Sequence, residues 1–512
     1  MIRLFLLCVA SFVHAQASQP CVSMKVSSYA MVCVCNSTYC DTVPQLPTLT
    51  PGMFAAYTSS QSGDRFQLAT AKVTDTAASG LVLEINKNVT RQTIIGFGGA
   101  FTDAAGINIA SLPQAAQEKL IQSYFASDGL EYTIGRIPMA SCDFSTHPYS
   151  YDDVAGDLNL THFALAQEDL KLKIPYIKQA LNLTNSKLRM FGSPWSAPAW
   201  MKTNGNMTGN GTLIGQPGGP YFKTWANYFV RFVEEYSKQG IPIWGLTTQN
   251  EPADGNIYRF PFQAMGWTPE TQRDFVKMDL GPALRSNKLQ HVQLMIMDDQ
   301  RLMLPYWAKV IYADPEALQY ISGVAVHWYI DQFVPINVLD FTHELQPNKF
   351  IFGSEACSGD LPWEADVSLG DWSRGEKYAS DIIGDLNHWV TGWTDWNIAL
   401  DLGGGPNWVK NFVDSPIIVN ASRGEFYKQP MFYAMGHFSK FLVPGSVHVE
   451  LKANIKNDIQ STAFLRPDGS LAVVLLNTDV SPVTLSVHDT EIGYLDITIS
   501  GKSIKTLLWK NK

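Results

Sequence analysis

No stretch of the 512-residue sequence gathers Lys and Arg into a basic run, and the formal net charge is −9. Phosphate backbones are bound by clustered cations, so nucleic acid is excluded as a partner. After the N-terminus no apolar run approaches the roughly 20 residues of a membrane-spanning helix. The mature chain is therefore expected to be soluble or peripheral to a membrane. Gly-x-Ser-x-Gly is absent, which removes the nucleophile elbow of serine hydrolases. Gly96-Phe97-Gly98-Gly99 misses the spacing of a dinucleotide site, and Gly403-Gly404-Gly405-Pro406 lacks the Lys-Ser/Thr of a phosphate loop. Zinc is disfavoured by Cys33-x-Cys35-x4-Cys40, which has the wrong spacing and no nearby His. Asp298-Asp299 has neither a His-spaced partner nor a calcium-loop glycine. No internal repeat is present.

Cysteines are few, seven in all, and unevenly placed. Met1-Ile2-Arg3 is a short positive start, residues 4–13 are apolar, and small residues follow at Ala15 and Ala17. That pattern is a secretory leader over 1–17, and Cys8 leaves with it. Cys21, Cys33, Cys35 and Cys40 crowd the start of the mature chain, whereas Cys142 and Cys357 stand alone. Four close cysteines in a secreted chain point to two disulfides, with three connectivities open. Glycosylation sequons occur at Asn36, Asn88, Asn159, Asn182, Asn206, Asn210 and Asn420, which suits the secretory pathway.

Residues 45–91 come to alternate polar and apolar side chains, the period of half-buried strands. From Ile94 the rhythm changes. Apolar runs at 94–100, 132–139, 188–194, 241–247, 292–297, 324–329, 349–354 and 393–399 alternate with helix-sized segments. Trp225, Phe229, Phe232 and Tyr236 recur at helical spacing before Gly240, and Leu170, Ile174, Ile177 and Leu181 form a second stripe. Eight strands with helices between them predict an α/β fold, a (β/α)8 TIM barrel, rather than an open doubly wound sheet. After 444 only strands follow, an Ig-like β-sandwich completed by the strands before 91, since neither piece has enough strands alone. The expected division is 18–44 with about 400–430 as a small disulfide-stapled β unit, 45–91 with 444–512 as the sandwich, and 92–399 with about 431–443 as the barrel.

In such barrels function collects where strands end. Those ends hold Asp103, Arg136, Asp143, Trp195, Trp200, Asn250, Glu251, Asp298, Asp299, Arg301, His327, Trp328, Tyr329, Glu355, Trp393, Asp395, Trp396 and Asn397. Glu251 closes the fourth run and is pinned by Pro252; Glu355 follows the seventh. A carboxylate at the end of a buried strand is costly without partners or a task. Capping or ion pairing would meet that cost for one of them. Strands four and seven face each other across an eight-stranded mouth, so the two glutamates can converge. Tryptophan faces bind sugar C–H faces, and Asn, Asp and Arg reach hydroxyls. Cleaving a glycosidic bond needs one protonated carboxyl and one ionised carboxylate. Asn250 suits the sugar 2-hydroxyl, and Arg136 is placed to keep Glu355 ionised. Asp103, Asp395 and Asp298-Asp299 serve equally well in structural ion pairs, His327 as a core hydrogen-bonding residue, and Cys142 and Cys357 as buried free thiols.

Longer motifs surround these residues. They are Gly96 to Ala105 (GFGGAFTDAA), Pro138 to Ser145 (PMASCDFS), Lys202 to Gly205 (KTNG), Ala325 to Tyr329 (AVHWY), Gly392 to Asn397 (GWTDWN) and Phe426 to Tyr433 (FYKQPMFY). With them the mature chain, from its four N-terminal cysteines to its last strand, resembles the lysosomal glucosylceramidases, which are retaining barrel glycosidases. The resemblance implies Glu251 as acid/base in Asn-Glu-Pro and Glu355 as nucleophile in Ser-Glu-Ala-Cys. It implies that Asp143, Trp195, Asn250, Trp396 and Asn411 hold the glucose ring, and that Arg136, His327 and Tyr329 set the nucleophile. It also implies the pairs Cys21–Cys33 and Cys35–Cys40, no metal or organic cofactor, and glucosylceramide as a lysosomal substrate. A saposin-type activator protein at anionic membranes is the implied partner. Gln249 departs from the Glu of vertebrate members and removes a charge two residues from Glu251. Ala264 replaces a Cys, and loops 331–336 and 358–363 differ at the lipid-facing entrance. The alternatives are a β-glycosidase for steryl or oligosaccharide glycosides and a catalytically silent glycolipid-binding protein.

Overall fold

The computed structural model describes residues 18–510; the leader expected over 1–17 lies outside them. Eight parallel strands close into the expected barrel. They are β1 (Gly96–Ala100), β2 (Ile134–Met139), β3 (Arg189–Pro194), β4 (Ile243–Thr247), β5 (Gln293–Gln300), β6 (Gly323–His327), β7 (Phe350–Glu355) and β8 (Val390–Asn397). Every residue of β1, β2, β6 and β8 is buried, as a parallel sheet covered on both faces requires. Ile134, Phe191, Met295, Ala325 and Phe352 form one cluster drawn from five of the strands. The barrel is thus a packed core, and a site can form only at its ends. The glycines of β1 serve close packing: a Cβ on Gly98 would lie 1.8 Å from the Ile134 carbonyl oxygen.

The helices read from apolar spacing are present, with one slip of phase. Helix Pro220–Lys238 starts with Pro at its first position and buries Trp225, Phe229, Phe232 and Tyr236. Each such aromatic contributes about 1.5–3 kcal/mol by burial. In the second stripe Ile174, Ile177 and Leu181 are buried, but Leu170 is 38% exposed. The cause is a wide turn over Asp169–Lys173, where Ile174 N–H donates to the Asp169 carbonyl five residues back. The wider turn rotates Asp169 and Lys173 inward instead, and they pair at 3.3 Å.

The strands outside the barrel form two sheets. Nine strands, from Met53–Ser60 through Ser503–Lys510, are hydrogen-bonded in one continuous order, with Val82–Thr93 paired to Val447–Ala453 in its middle. This sheet curls over itself into the sandwich: Trp509 Nε1 donates across the interior to Asp489 Oδ2 at 3.0 Å. In its strand Ser470–Asn477, Leu471, Val473 and Leu475 fill the sandwich core, while Ala472, Val474 and Leu476 belong to the core shared with the barrel. The second sheet orders Ser23–Lys25, Met31–Asn36, Glu425–Lys428, Ile417–Asn420 and Leu400–Asp401. The disulfides Cys21–Cys33 and Cys35–Cys40 staple its N-terminal edge, and Cys142 and Cys357 are free and buried.

Candidate active site

At the carboxyl ends of β1 to β8 a cavity of about 310 Å³ opens, within the range of small-molecule sites. Glu251, Glu355, Asp143, Trp195, Trp396 and Asn411 all line it. Glu355 ends β7, and Glu251 follows β4. A carboxylate oxygen of one lies within 4.8 Å of a carboxylate oxygen of the other. The two strands bring the acids to facing sides of one mouth, as the alternation of the sequence implied.

Arg136 of β2 organises the Glu355 side. Its Nη1 bonds Glu355 Oε2, its Nη2 donates to Asn250 Oδ1 at 2.8 Å and Asp298 Oδ2 at 2.9 Å, and its Nε donates to Ser193 Oγ at 3.1 Å. The guanidinium lies 5.0 Å and 5.4 Å from the rings of Trp195 and Trp396, which stack on each other. Tyr329 donates its hydroxyl to Glu355 Oε1 at 2.5 Å. Burial pushes the Glu355 carboxyl above the usual range; Arg136, His327 and Tyr329 pull it down, and Glu251 adds to the rise. Arg136 therefore does contact Glu355, but its charge only partly offsets the loss of water.

His327 links the two sides. Its Nε2 meets Asp298 Oδ1 at 3.0 Å and its Nδ1 meets Glu251 Oε1 at 3.2 Å. Burial opposes an imidazolium, yet Glu355, Asp298 and Glu251 together raise its pKa well above the ordinary value. Gln300 Nε2 donates to the same Glu251 oxygen at 2.9 Å. Burial would raise Glu251, but His327, Asp254 and Arg136 hold it below the usual range. Asp254, whose carboxyl lies against it, is pushed up to about 10 by burial and by Glu251. Asp143, raised to about 7 by burial, accepts at 3.0 Å from Asn407 and from Asn411.

Other strand-end residues face elsewhere. Asp103 pairs with Lys173 at 3.0 Å, Asp395 accepts the Tyr378 hydroxyl, Trp200 donates to the Asp152 carbonyl, and Trp393 donates to Asp381. Gln300, Asn407 and Asp254 were not singled out from sequence. Gln300 directly follows Asp298-Asp299, which was a usable signal; the other two lie in loops with no periodic cue. Gln249 is fully buried, and its Nε2 reaches the carbonyls of Pro194, Trp195 and Asn250 at 2.8–3.1 Å. An ionised Glu there would face three carbonyl oxygens. Glu251, His327 and Glu355 offer metal-ligand atoms at short range. Both His327 nitrogens already meet carboxylates, however, and Arg136 supplies a cation beside Glu355 and Asp298.

An eight-stranded barrel with two converging carboxylates, buried cations behind them and stacked tryptophans in the wall is the site of a barrel glycosidase. Residues 94–442 match the glycosyl hydrolase family 30 TIM-barrel domain, and residues 445–507 match the glycosyl hydrolase family 30 beta sandwich domain. The chain belongs to glycosyl hydrolase family 30. It is 48% identical to the lysosomal acid glucosylceramidase of Mus musculus over 500 residues, 97% of each chain. Among solved structures, SrfJ from Salmonella typhimurium superposes with a TM-score of 0.83 at 27% identity, covering 90% of this chain and all of that one. An endo-β1,6-glucanase superposes with a TM-score of 0.81 at 26% identity, covering 91% and 100%.

Proposed function

We propose that the protein is a retaining β-glucosidase that hydrolyses glucosylceramide to glucose and ceramide in the acidic lumen of the lysosome, as a step of sphingolipid breakdown. The carrying observation is the approach of Glu251 and Glu355 oxygens to within 4.8 Å across one cavity. Retaining enzymes hold their carboxyls about 5–5.5 Å apart, and inverting ones about 6.5–9.5 Å to admit a water. Glu355 attacks the anomeric carbon while Glu251 delivers a proton to the leaving oxygen. The covalent glucosyl-enzyme is then opened by water, from which Glu251 takes a proton. Asp143, Trp195, Asn250, Trp396 and Asn411 hold the ring, and Arg136, His327 and Tyr329 orient the nucleophile.

A lipid aglycone is supported by the rim. Loops leaving β4, β5, β6 and β7 carry Tyr258, Leu302, Phe333 and Trp363, all at least 65% exposed. Exposed apolar clusters mark membrane or partner contacts, and among the described residues no helix is long and apolar enough to cross a membrane. Such a rim suits a peripheral enzyme working on anionic membranes with a saposin-type activator. The test is turnover of glucosylceramide, galactosylceramide, a steryl glucoside and a β1,6-linked gluco-oligosaccharide in anionic liposomes across pH. Glucosylceramide is expected to be preferred under acidic conditions. Preference for the oligosaccharide would move the specificity elsewhere, and failure of an epoxide sugar analogue to label Glu355 would overturn the hydrolase reading.

A further inference from the structure

We propose that Asp254 is a positioning residue for the acid: its carboxyl and that of Glu251 share one proton, stored for delivery to the glycosidic oxygen. The inference rests on Glu251 being the acid/base.

The backbone builds the contact. Glu251 takes a left-handed conformation, φ +42°, where β4 gives way to loop, and its N–H donates to the Asp298 carbonyl at 2.8 Å. Asp254 N–H then donates to the Glu251 carbonyl at 3.0 Å, so the chain doubles back within one turn. That turn lays the Asp254 carboxyl against the Glu251 carboxyl at hydrogen-bonding range. Asp299 pins it, accepting Ala253 N–H on Oδ2 at 3.1 Å and Gln300 N–H on Oδ1 at 2.7 Å. Left-handed backbone at a non-glycine residue is strained and persists where surroundings enforce it.

Two carboxyls in contact at a half-buried site repel each other when both are ionised, so one of them holds a proton. The charged groups facing the pair are His327 and Arg136, both cationic, and Asp299 and Glu355, both acidic; Asp298 lies behind the two cations, and Asp143 and the Tyr329 hydroxyl stand further out. The cations neutralise one carboxylate of the pair, and the surrounding acids disfavour a second. At rest the proton sits on Asp254, and it crosses the hydrogen bond to Glu251 when a leaving oxygen docks. As the C–O bond breaks, its electron pair goes to the leaving oxygen, which takes the Glu251 proton. In the second step water adds to the anomeric carbon as its bond to Glu355 breaks and the electron pair returns to that carboxylate, and the water gives a proton to Glu251, restoring the starting count.

The test uses Asp254→Asn in the full chain, with kcat/KM measured across pH on an alkyl β-glucoside and on dinitrophenyl β-glucoside. Removing the second carboxyl should move the alkaline limb for the alkyl glucoside to lower pH by about one unit or more. At neutral pH that substrate should lose at least about tenfold more than the aryl glucoside, which needs little proton assistance. Asp254→Glu should return the limb toward its original position, and Asp254→Ser gives a second reading should the Asn variant not fold. An unmoved limb in a folded variant overturns the proposal. Leaving-group selectivity of Glu251→Gln, measured alongside, keeps the two readings apart. If that variant loses both substrates equally, the acid assignment itself fails. If it spares the aryl glucoside while the Asp254→Asn limb stays in place, only the shared proton fails.

Discussion

Arg136 and Asp298 form an ion pair at 2.9 Å with neither side chain exposed. Asp298 sits in a bulge of β5 at φ +65°, and its other oxygen takes His327 Nε2 and the Ser354 hydroxyl at 2.6 Å. One carboxylate thereby aims two cations, Arg136 toward Glu355 and His327 toward Glu251. Removing one partner of a buried pair leaves an uncompensated charge and costs about 3–5 kcal/mol. Asp298→Ala is therefore expected to lower stability by about that amount in denaturant titration and to reduce kcat by at least about 100-fold, through misplacement of both glutamates. A variant with normal stability and turnover would show that Asp298 orders neither cation.

Glu251 and Glu355 should separate by leaving group. Glu355→Gln removes the carboxylate proposed to attack and is expected to be inactive on every glucoside. Glu251→Gln should still be glycosylated by an activated aryl glucoside, because a good leaving group departs without a proton. Burst kinetics on dinitrophenyl glucoside against turnover of an alkyl glucoside provide the readout. Equal loss on both classes would argue against the acid role.

Stability should rise as pH falls from 8 to 5. Burial pushes Asp143 and Asp299 up to about 7 and Asp254 and Asp331 up to about 10, whereas an unfolded Asp titrates near about 3.9. Between these values the folded chain binds more protons. The stabilisation is complete below the unfolded pKa and is lost as pH climbs through 7 and 10. His437 and His448, which burial lowers to about 3 and about 4, act oppositely and lose stability as pH drops below about 6.5. Lys202, which burial lowers to about 7, also opposes the trend above that pH, but the four acids outweigh it and the two imidazoles, so melting temperatures across a pH series should increase toward the acid side. A melting temperature higher at pH 8 than at pH 5 would contradict this balance.

Glycan occupancy should divide six of the seven sequons. Asn88, Asn159, Asn182, Asn206 and Asn210 are exposed. Asn420 instead uses Nδ2, the atom a glycan would take, to donate to the Tyr427 hydroxyl at 3.0 Å, and its Oδ1 accepts from Ser422 at 2.8 Å. Glycopeptide mapping of the secreted chain is expected to find sugar on the exposed five and none at Asn420. Full occupancy at Asn420 would mean that this pair forms only after glycosylation is over, or not at all.

The convergence of Glu251 and Glu355 was legible because both close apolar runs, and the barrel's symmetry converts strand number into position. The aromatic stripe of Pro220–Lys238 was legible for the same reason: periodicity reports burial directly. Leu170 was misread because hydrogen bonding at Asp169–Lys173 changes the period within a helix, which no apolar count can reveal. Asp254 and Asn407 escaped notice because they act from loops, where turn geometry rather than spacing decides what a side chain meets. Gln249 looked like a lost charge beside Glu251; its amide is instead spent on three carbonyls.

The curled sheet draws its strands from both sides of the barrel, and Thr74 bonds the carbonyl of Tyr494, 420 positions later. At about 5–20 residues per second, the early strands leave the ribosome tens of seconds before their partners exist. Met53–Ser60 and Val82–Thr93 must wait with open edges while the whole barrel is made. Nascent chains of this protein are accordingly committed to a long interval in which unpaired strand edges are open to misassembly.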